Sequence, residues 1–500
     1  MPKVESFSNR WGIVLAALGM AIGAGNLWRF PRLAGQYGGT FIVLWILFLF
    51  IWSIPLLLTE FAIGKKFRRG VIGSFASLAG ERYTWMGFFV TVCTLGIAFY
   101  YSIVTAWSLQ YLRISVSNLL SDQPLAERLA ANPDLMQSQW EGIANGSLTT
   151  IVLYIVVVLA GVLLLKRGIK RGLEAANKIL IPSLFVLIVI IAVIALSMPK
   201  GIAGLSYMFE IKWELFGDAK VWIEALSQSA WSTGAGWGLM MTLSSFTREK
   251  EDVTLNTFIG AFGNNTASLV AGIAILPAVF ALAASDEEAL TFLQAGNQAL
   301  TFTIIPKLFS TINGGAFLAI LFFLALFFAA FSSLLPMIEL FVSNISNMGI
   351  RSKYITPIVA VSFIVFGFPS AYSLDFFNNQ DWVWGVGLIL SGFFILFAVA
   401  KYGPGRFKEE FIDEDSDFRV WTGYFSWSTR INLFMAIFLV YWWLSQGYSA
   451  YPWFNEAGYW NVWDVYSNAS VISQWLLVLI LGIIINRWLH QKFVAQTLKI

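Results

Sequence analysis

Reactive and metal-binding side chains are nearly absent from this sequence of 500 residues. It contains one cysteine, Cys93, and one histidine, His490. A lone cysteine excludes an internal disulfide and a zinc cluster, and a lone histidine excludes a histidine proton relay. The HExxH and GxSxG patterns of metalloproteases and serine hydrolases are also missing. An enzyme is therefore not expected.

Charged residues are scarce as well. They make up 12% of the chain, while apolar residues make up 58%, and soluble domains average roughly 25% charged residues. Apolar segments of about 20 residues, long enough to cross the hydrocarbon core of a bilayer, recur along the chain. We predict twelve transmembrane helices, at residues 11–35, 39–63, 86–112, 148–165, 179–198, 223–246, 255–284, 314–346, 353–370, 382–400, 431–447 and 470–489. Long helical segments of this kind exclude a β-barrel.

The distribution of charge predicts the orientation of the helices. Basic residues follow helix 2 at 65–69 and helix 4 at 166–171, which assigns both loops to the cytoplasm by the positive-inside rule. The loop after helix 3 carries Asp122, Glu127, Asp134 and Glu141 and is expected outside. A multi-pass protein of the cell membrane with both termini in the cytoplasm is therefore predicted. The small net charge of +3 gives no indication of a nucleic-acid partner, and none is expected.

Two glycine-rich stretches interrupt predicted helices 1 and 6. They read GMAIGAGN at 19–26 and STGAGWG at 232–238. A bilayer tolerates irregular backbone only where it is buried in protein or lines a wet cavity. Paired interruptions in corresponding halves of a chain indicate the binding site of a secondary transporter.

The interruptions also predict the architecture. Helices 1–5 and 6–10 form two halves that each open with a broken helix, and an odd number of spans per half gives the halves opposite orientations. We predict an all-α membrane protein with a single transmembrane domain over residues 1–500. It contains an inverted five-helix repeat (about 11–198 and 223–400) and two extra C-terminal helices at about 431–489.

The run LWRFP at 27–31, directly after the first interruption, resembles the neurotransmitter:sodium symporter family in its bacterial amino-acid transporter branch. The spacing agrees across helices 1–10. The resemblance implies a symporter of neutral amino acids, hydrophobic or small, that is coupled to Na⁺ and works by alternating access around a midplane site. It also implies a location in the bacterial inner membrane.

The resemblance places the substrate carboxylate against the backbone amides around Ala24 and Gly25 and the hydroxyl of Tyr101. Gly23 stands where monoamine carriers have an aspartate, and it leaves room for the carboxylate of an amino acid. The implied substrate-binding residues are Met20, Ala21, Gly23, Ala24, Gly25, Ile97, Tyr101, Trp231, Ser232, Gly234, Trp237, Ser333 and Met337.

Two sodium sites are implied by the same resemblance. The first sodium site comprises the carbonyl of Ala21, the amide oxygens of Asn26 and Asn264, Ser232 and the substrate carboxylate. The second sodium site comprises the carbonyls of Gly19, Ile22 and Ala329 and the hydroxyls of Ser332 and Ser333. Hard oxygen ligands without a dedicated carboxylate suit a monovalent ion better than Ca²⁺. The alternative for the two serines is hydrogen bonding to their own helix backbone.

Chloride is a candidate further ion. The resemblance points to a cradle formed by Gln228, Ser232, Asn264 and Ser268. Ser268 is the residue type found in chloride-dependent members, whereas chloride-independent bacterial relatives generally carry an acidic residue there. Trp45 replaces the usual tyrosine partner and counts against a well-formed chloride site.

Gating residues complete the expectations from the resemblance. Trp231 is expected to form a lid above the substrate, and Arg29 is expected to pair with Asp381 of helix 10. An arginine so close to the membrane midplane is costly unless it is paired. Arg10 is expected at the inner gate, where no clear acidic partner stands near the end of helix 8.

Three alternatives stay open at the level of sequence. A proton-coupled or exchange-type transporter of amino acids or related zwitterions would use Glu60 and Glu339 as intramembrane carboxylates. Both carboxylates equally fit a structural role, hydrogen-bonded to unwound backbone. A channel or a non-transporting receptor would show the same helical pattern.

Overall fold

The computed structural model describes residues 5–494, and this part of the chain is almost entirely helical. In chain order, the α-helices are α1 Arg10–Ala21, α2 Ala24–Phe48, α3 Ile54–Phe67, α4 Val71–Leu78, α5 Thr84–Leu119, α6 Leu125–Ala131, α7 Leu135–Ala144, α8 Leu148–Leu165, α9 Ala175–Ser197, α10 Gly201–Phe209, α11 Ala219–Thr233, α12 Leu239–Ser244, α13 Val253–Leu282, α14 Asp286–Gln294, α15 Asn297–Ala299, α16 Ile305–Phe309, α17 Gly315–Asn347, α18 Ser352–Tyr372, α19 Leu374–Tyr402, α20 Pro404–Phe407, α21 Thr422–Ser445, α22 Asn468–Ile484 and α23 Asn486–Val494. Turns of π-helix cover Leu49–Ser53, Ile169–Glu174, Leu300–Ile304 and Lys408–Ile412, and 3₁₀ turns cover Glu81–Tyr83, Trp213–Gly217 and Asp413–Asp415. Extended pairing within residues 5–494 is limited to one isolated bridge between Phe454 and Trp460.

Each of the twelve predicted spans overlaps a helix or a pair of helices, and the predicted all-α membrane fold is confirmed. Among the described residues, eight helices are individually long and apolar enough to cross a membrane, or nine if α22 and α23, bent by 60°, form one span. Predicted helices 1, 6 and 11 fall outside this set. Predicted helix 11 overlaps α21, which is one unbroken helix of 24 residues, whereas the breaks in predicted helices 1 and 6 divide them into short pieces. The pieces α1, α11 and α12 have 12, 15 and 6 residues.

The first break occupies the two residues between α1 and α2. Ile22 has φ −83° and ψ 88°, and Gly23 is extended with φ −108° and ψ −172°. Helix α2 then begins at Ala24 and bends at Gly38, whose φ is 61°. This bend marks the predicted boundary between helices 1 and 2, so α2 contributes to both spans.

The second break separates α11 from α12 and depends on glycine. Gly234, Gly236 and Gly238 have φ values of 69°, 91° and 74°, a left-handed conformation that side chains with a Cβ rarely adopt. The carboxylate of Glu60 on α3 accepts hydrogen bonds from the N–H of Gly236 at 2.6 Å and of Met241 at 3.4 Å. The broken backbone therefore has a polar partner in the protein interior, as a span without water requires.

Helix packing brings the two breaks together. Helix α5 packs along α17, α2 packs along α11, and α1, α9 and α17 pack on one another. A Cβ on Gly234 in the second break would lie 3.2 Å from the Cε of Met20 beside the first break. The irregular backbone of both broken helices therefore lies in one central region.

Candidate functional site

A cavity of about 380 Å³ lies between the two broken helices and helices α5, α17 and α19. Its lining includes Gly23 and Ser333 at the first break, and also Arg29, Glu224 and Tyr466. Tyr466 is 41% exposed. The cavity therefore runs from the breaks toward the protein surface on the Arg29 side of the molecule.

Most of the residues predicted for the substrate site line this cavity. Eleven of the thirteen do so: Met20, Ala21, Gly23, Gly25, Tyr101, Trp231, Ser232, Gly234, Trp237, Ser333 and Met337. The exceptions are Ala24, whose N–H donates to the Tyr101 hydroxyl at 2.9 Å, and Ile97, which is fully buried in the core. The Ala24 N–H, which was expected to face the substrate, is therefore hydrogen-bonded to the Tyr101 hydroxyl.

Space for a bound group is present at the start of α2, beside Gly25. No heavy atom outside the neighbouring backbone lies within 4 Å of where a Cβ on Gly25 would stand, whereas a Cβ on Gly23 would lie 2.8 Å from the Tyr101 hydroxyl and 3.0 Å from the Ser333 Oγ. Backbone N–H groups at a helix start carry partial positive charge and favour anions. A carboxylate therefore has both room and a favourable field beside Gly25.

The polar residues of the predicted first sodium site form one hydrogen-bonded network. Asn26 donates to the Asn264 Oδ1 at 2.8 Å and to the Ser268 Oγ at 2.7 Å, and its own Oδ1 accepts from the Gly23 N–H at 3.0 Å. Asn264 in turn donates to the Ser232 Oγ at 3.1 Å. Both broken helices and α13 thus contribute oxygen-bearing side chains to a single cluster.

The predicted second sodium site lies where α17 meets the inner side of the first break. Ser333 donates to the carbonyl of Gly19 at 2.9 Å and so joins the two helices. Ser332 donates to the Ala329 carbonyl in its own helix at 3.0 Å, as in the backbone-bonding alternative. Gly19, Ile22, Ala329 and Ser332 are buried and do not line the cavity.

Three of the four groups of the predicted chloride cradle are hydrogen-bonded, and the fourth, Gln228, is not. Ser268 accepts from Asn26, and Ser232 accepts from Asn264. Gln228 lines the cavity and is 1% exposed, yet neither end of its amide has a hydrogen-bond partner in the described chain. The buried Nε1 of Trp45 also lacks a partner within residues 5–494. Buried polar groups normally have a partner in the protein or in bound solvent.

The ion pair of Arg29 differs from the prediction. Arg29 donates to Glu224 on α11 at 3.0 Å and to the Ser227 Oγ at 2.9 Å, so its direct ion pair in the structure is with Glu224 and not with the predicted Asp381. Asp381 lines the same cavity and lies beside Tyr100. Helix packing explains this choice of partner, because α2 runs along α11 and places Glu224 next to Arg29. Glu224 is the one carboxylate between residues 219 and 247, a signal that sequence analysis could have used.

The opposite end of α1 is closed by contacts with the segment after α12. Arg10 lies 3.8 Å from the carboxylate of Glu251 and donates to Asn256 at 3.3 Å. The N–H of Phe7 donates to the carbonyl of Phe246 at 3.0 Å. Arg10 therefore has an acidic partner, and this partner lies in the charged run at 248–252 and not near the end of predicted helix 8.

Trp231, the predicted lid, stands at the wall between the cavity and α19. Its ring is nearly perpendicular to that of Trp237, with centroids 5.3 Å apart. A Cβ on Gly385 would lie 2.7 Å from the Cζ2 of Trp231. The absence of a side chain at Gly385 therefore makes room for the indole of Trp231.

Three comparisons with known proteins agree with this geometry. A model of the sodium:neurotransmitter symporter family matches residues 4–124 and 135–496. An uncharacterized sodium-dependent transporter of Methanocaldococcus jannaschii is 30% identical over 419 residues, covering 81% of this chain and 83% of that protein. The sodium-dependent serotonin transporter of Drosophila melanogaster is 24% identical over 445 residues, covering 81% and 71%. The crystal structure of MhsT in complex with L-phenylalanine aligns with a TM-score of 0.76 at 26% identity, covering 87% of this chain and 99% of that chain.

Substitutions at the two neighbouring glycines should have different effects. We expect Gly23→Ala to lower both the melting temperature and substrate binding, because its Cβ would press on the Tyr101 hydroxyl and Ser333. Overpacking of this kind costs roughly 1–3 kcal/mol. Gly25→Ala serves as the matched control and should keep the melting temperature, since its Cβ enters open space. Thermal unfolding of the purified variants measures the melting temperature, and its change on addition of substrate reports binding. An equal loss of melting temperature in the two substrate-free variants would contradict the described geometry.

The Arg29–Glu224 ion pair is testable by a double-mutant cycle. We expect Arg29→Gln and Glu224→Gln to show non-additive effects on thermal stability, with a coupling of about 0.5–1 kcal/mol for a partly exposed pair. The control cycle combines Arg29→Gln with Asp381→Asn and should show a smaller coupling. Stronger coupling of Arg29 to Asp381 than to Glu224 would show that the observed pair is not the one that matters in solution.

Proposed function

The chain belongs to the sodium:neurotransmitter symporter family, and we propose that this sodium-dependent membrane symporter transports a neutral amino acid, hydrophobic or small. The observation that carries the proposal is the open space beside Gly25 at the start of α2, next to the Tyr101 hydroxyl. This position suits a carboxylate, since helix N-termini favour anions. Positions 23 and 25 are glycines, so neither supplies an acidic side chain that could bind the ammonium group of a simple amine. A substrate that brings its own carboxylate fits this site better.

The walls of the cavity support a substrate with an apolar side chain. Met20, Trp237 and Met337 line it near the breaks, and Trp231 lines it on the α11 side. Methionine and tryptophan present large apolar surfaces, and methionine adapts to irregular shapes. The structural relative MhsT was solved with L-phenylalanine, which is compatible with an amino acid of this class here.

Two Na⁺ ions are the proposed coupling ions. The first would be held by the Ala21 carbonyl, Asn26, Asn264, Ser232 and the substrate carboxylate. The second would be held by the carbonyls of Gly19, Ile22 and Ala329 and by Ser332 and Ser333. Hydrogen bonds join Asn26, Asn264 and Ser232 at the first of these sites, and they join Ser333 to Gly19 and Ser332 to Ala329 at the second. Modest rotations of these side chains would present several oxygens to one cation.

Transport would proceed by alternating access between the two proposed five-helix repeats. The cavity reaches an exposed residue on the Arg29 side, while the Arg10 side is closed by Glu251, Asn256 and Phe246. We assign the Arg10 side and both termini to the cytoplasm from the distribution of basic loops. On this assignment the cavity faces outward, and the protein lies in a bacterial inner membrane.

Proton coupling is the second candidate, and the structure separates its two carboxylates. Glu60 is engaged by the N–H groups of the second break, which favours a structural role. Glu339 accepts a hydrogen bond from Ser343 at 3.0 Å in its own helix, and this buried carboxylate has no ion pair among the salt bridges of residues 5–494. Glu339 is therefore the residue on which a proton-coupled mechanism would depend.

Uptake into proteoliposomes tests the proposed function. A panel of neutral amino acids should be accumulated under a Na⁺ gradient and not under an equal K⁺ gradient, and decarboxylated amines should compete poorly. Ser333→Ala and Asn26→Ala should each weaken the response to Na⁺, because loss of a ligand to a buried cation costs about 1–3 kcal/mol.

The matched control for this experiment is Ser428→Ala. Ser428 is fully buried on α21 and donates to Phe425 of its own helix, outside the proposed site, so its loss should leave the Na⁺ response unchanged. Uptake that ignores Na⁺ and follows a pH gradient would refute sodium coupling and favour Glu339.

Chloride dependence is a separate expectation of the proposed site. Two Na⁺ and a zwitterion bring net positive charge into a region of low dielectric constant, where a nearby negative charge stabilises them. Replacing Cl⁻ with gluconate should therefore reduce transport, and Ser268→Glu should restore activity without Cl⁻. Ser268→Gln is the uncharged control and should not restore it. Undiminished transport by the native chain in chloride-free buffer would contradict the chloride cradle.

A further inference from the structure

A fully buried asparagine on α9, Asn177, lacks any hydrogen-bond partner for its side chain within the described part of the chain. Its exposure is 0%, and neither Oδ1 nor Nδ2 is bonded. Nearly all buried polar side chains in folded proteins are bonded to protein or to bound solvent. The Oδ1 and Nδ2 of Asn177 have no protein partner in an apolar span, which indicates that a bound water molecule or ion is their partner.

The amide of Asn177 lies directly against the backbone of Gly19. A Cβ on Gly19 would stand 2.8 Å from the Oδ1 and 2.9 Å from the Nδ2 of Asn177. The carbonyl of Gly19 is the same group that accepts the hydrogen bond from Ser333. Because α1, α9 and α17 pack on one another at this level, Asn177 approaches the proposed second sodium site from the third helix.

The same helical face continues from α9 into the preceding π-helical turn, Ile169–Glu174, toward the Arg10 end of the molecule. Glu174, three residues before Asn177, lies against Gly12 as Asn177 lies against Gly19, and residues three apart share a helix face. Glu174 accepts from the N–H of Ser8 at 2.9 Å and from Lys178 at 2.7 Å. Asn177 and Glu174 thus form a polar face directed at α1, with Asn177 at the level of Gly19 and Glu174 nearer the closed Arg10 side.

We infer that Asn177 supplies a further oxygen ligand to Na⁺ at the second sodium site, from the side of α9. This inference rests on the proposed sodium coupling. The amide oxygen is a hard ligand of the kind that alkali cations bind, and it joins carbonyl and hydroxyl oxygens of the same kind at Gly19 and Ser333. Glycine at position 19 is what allows the amide to approach the carbonyl-bearing backbone so closely.

The test uses the full-length purified protein without substrate, with Na⁺ itself as the probe. A ligand that binds the folded state raises the melting temperature by mass action. We would measure this temperature as choline chloride is replaced by NaCl at constant ionic strength and determine the Na⁺ concentration at half-maximal shift. Asn177→Leu keeps the approximate size of the side chain and removes its oxygen, whereas Asn177→Asp keeps the oxygen and adds negative charge.

We expect Asn177→Leu to raise the half-maximal Na⁺ concentration about tenfold, as for a lost ligand, and Asn177→Asp to lower it or leave it unchanged. Ser333→Ala should also raise it. Asn432→Leu is the matched control, because Asn432 is a fully buried asparagine on α21 that also has an unbonded Oδ1. It should lower the melting temperature in choline chloride without changing the Na⁺ concentration at half-maximal shift.

The outcomes separate this inference from the proposed function. A raised half-maximal concentration for Ser333→Ala together with an unchanged value for Asn177→Leu would overturn the role of Asn177 alone, and its amide would then hold water only. A native protein that does not respond to Na⁺ would overturn both proposals. If Asn177→Leu does not fold, a half-maximal concentration for Asn177→Asp well above that of the native protein would overturn the inference, because an added carboxylate beside the ion should tighten binding.

Discussion

The N–H groups released by the break between α11 and α12 bind the carboxylate of Glu60, and the remainder of the central site depends on this interaction. Unwound backbone inside a membrane persists only where the protein supplies hydrogen-bond partners. Glu60 supplies them to Gly236 and Met241, and Thr94 of α5 donates to the Trp237 carbonyl at 2.6 Å. With the break fixed in this way, Gly234 and Trp237 line the cavity.

The first break is satisfied by a different set of groups, and these groups are also the proposed ligands. Tyr101 binds the Ala24 amide, Asn26 binds the Gly23 amide, and Ser333 binds the Gly19 carbonyl. Each bond stabilises the unwound backbone and also places an oxygen beside the cavity or the proposed ion sites. Binding and local stability are therefore linked at this break, because an ion that binds these oxygens must rearrange the hydrogen bonds that fix the backbone.

Sequence reasoning predicted the features that depend on composition and on local pattern. Span length, the two glycine-rich breaks and most of the cavity lining follow from apolar runs and from motifs that the chain shares with its family. The ion pairs of Arg29 and Arg10 did not follow, because their partners Glu224 and Glu251 are set by how distant helices pack. Asn177 was missed for a related reason, since a single asparagine in an apolar helix acquires meaning only when Gly19 lies against it.

Hydrogen–deuterium exchange of the purified protein, compared in NaCl and in choline chloride, tests the central claim that the two breaks form one cation-dependent site. The account predicts that Na⁺ slows amide exchange at 19–26 and at 232–241 together, with the same concentration dependence, and leaves α21 unchanged. Exchange that is insensitive to Na⁺ in either segment, or that slows equally in α21, would contradict the account.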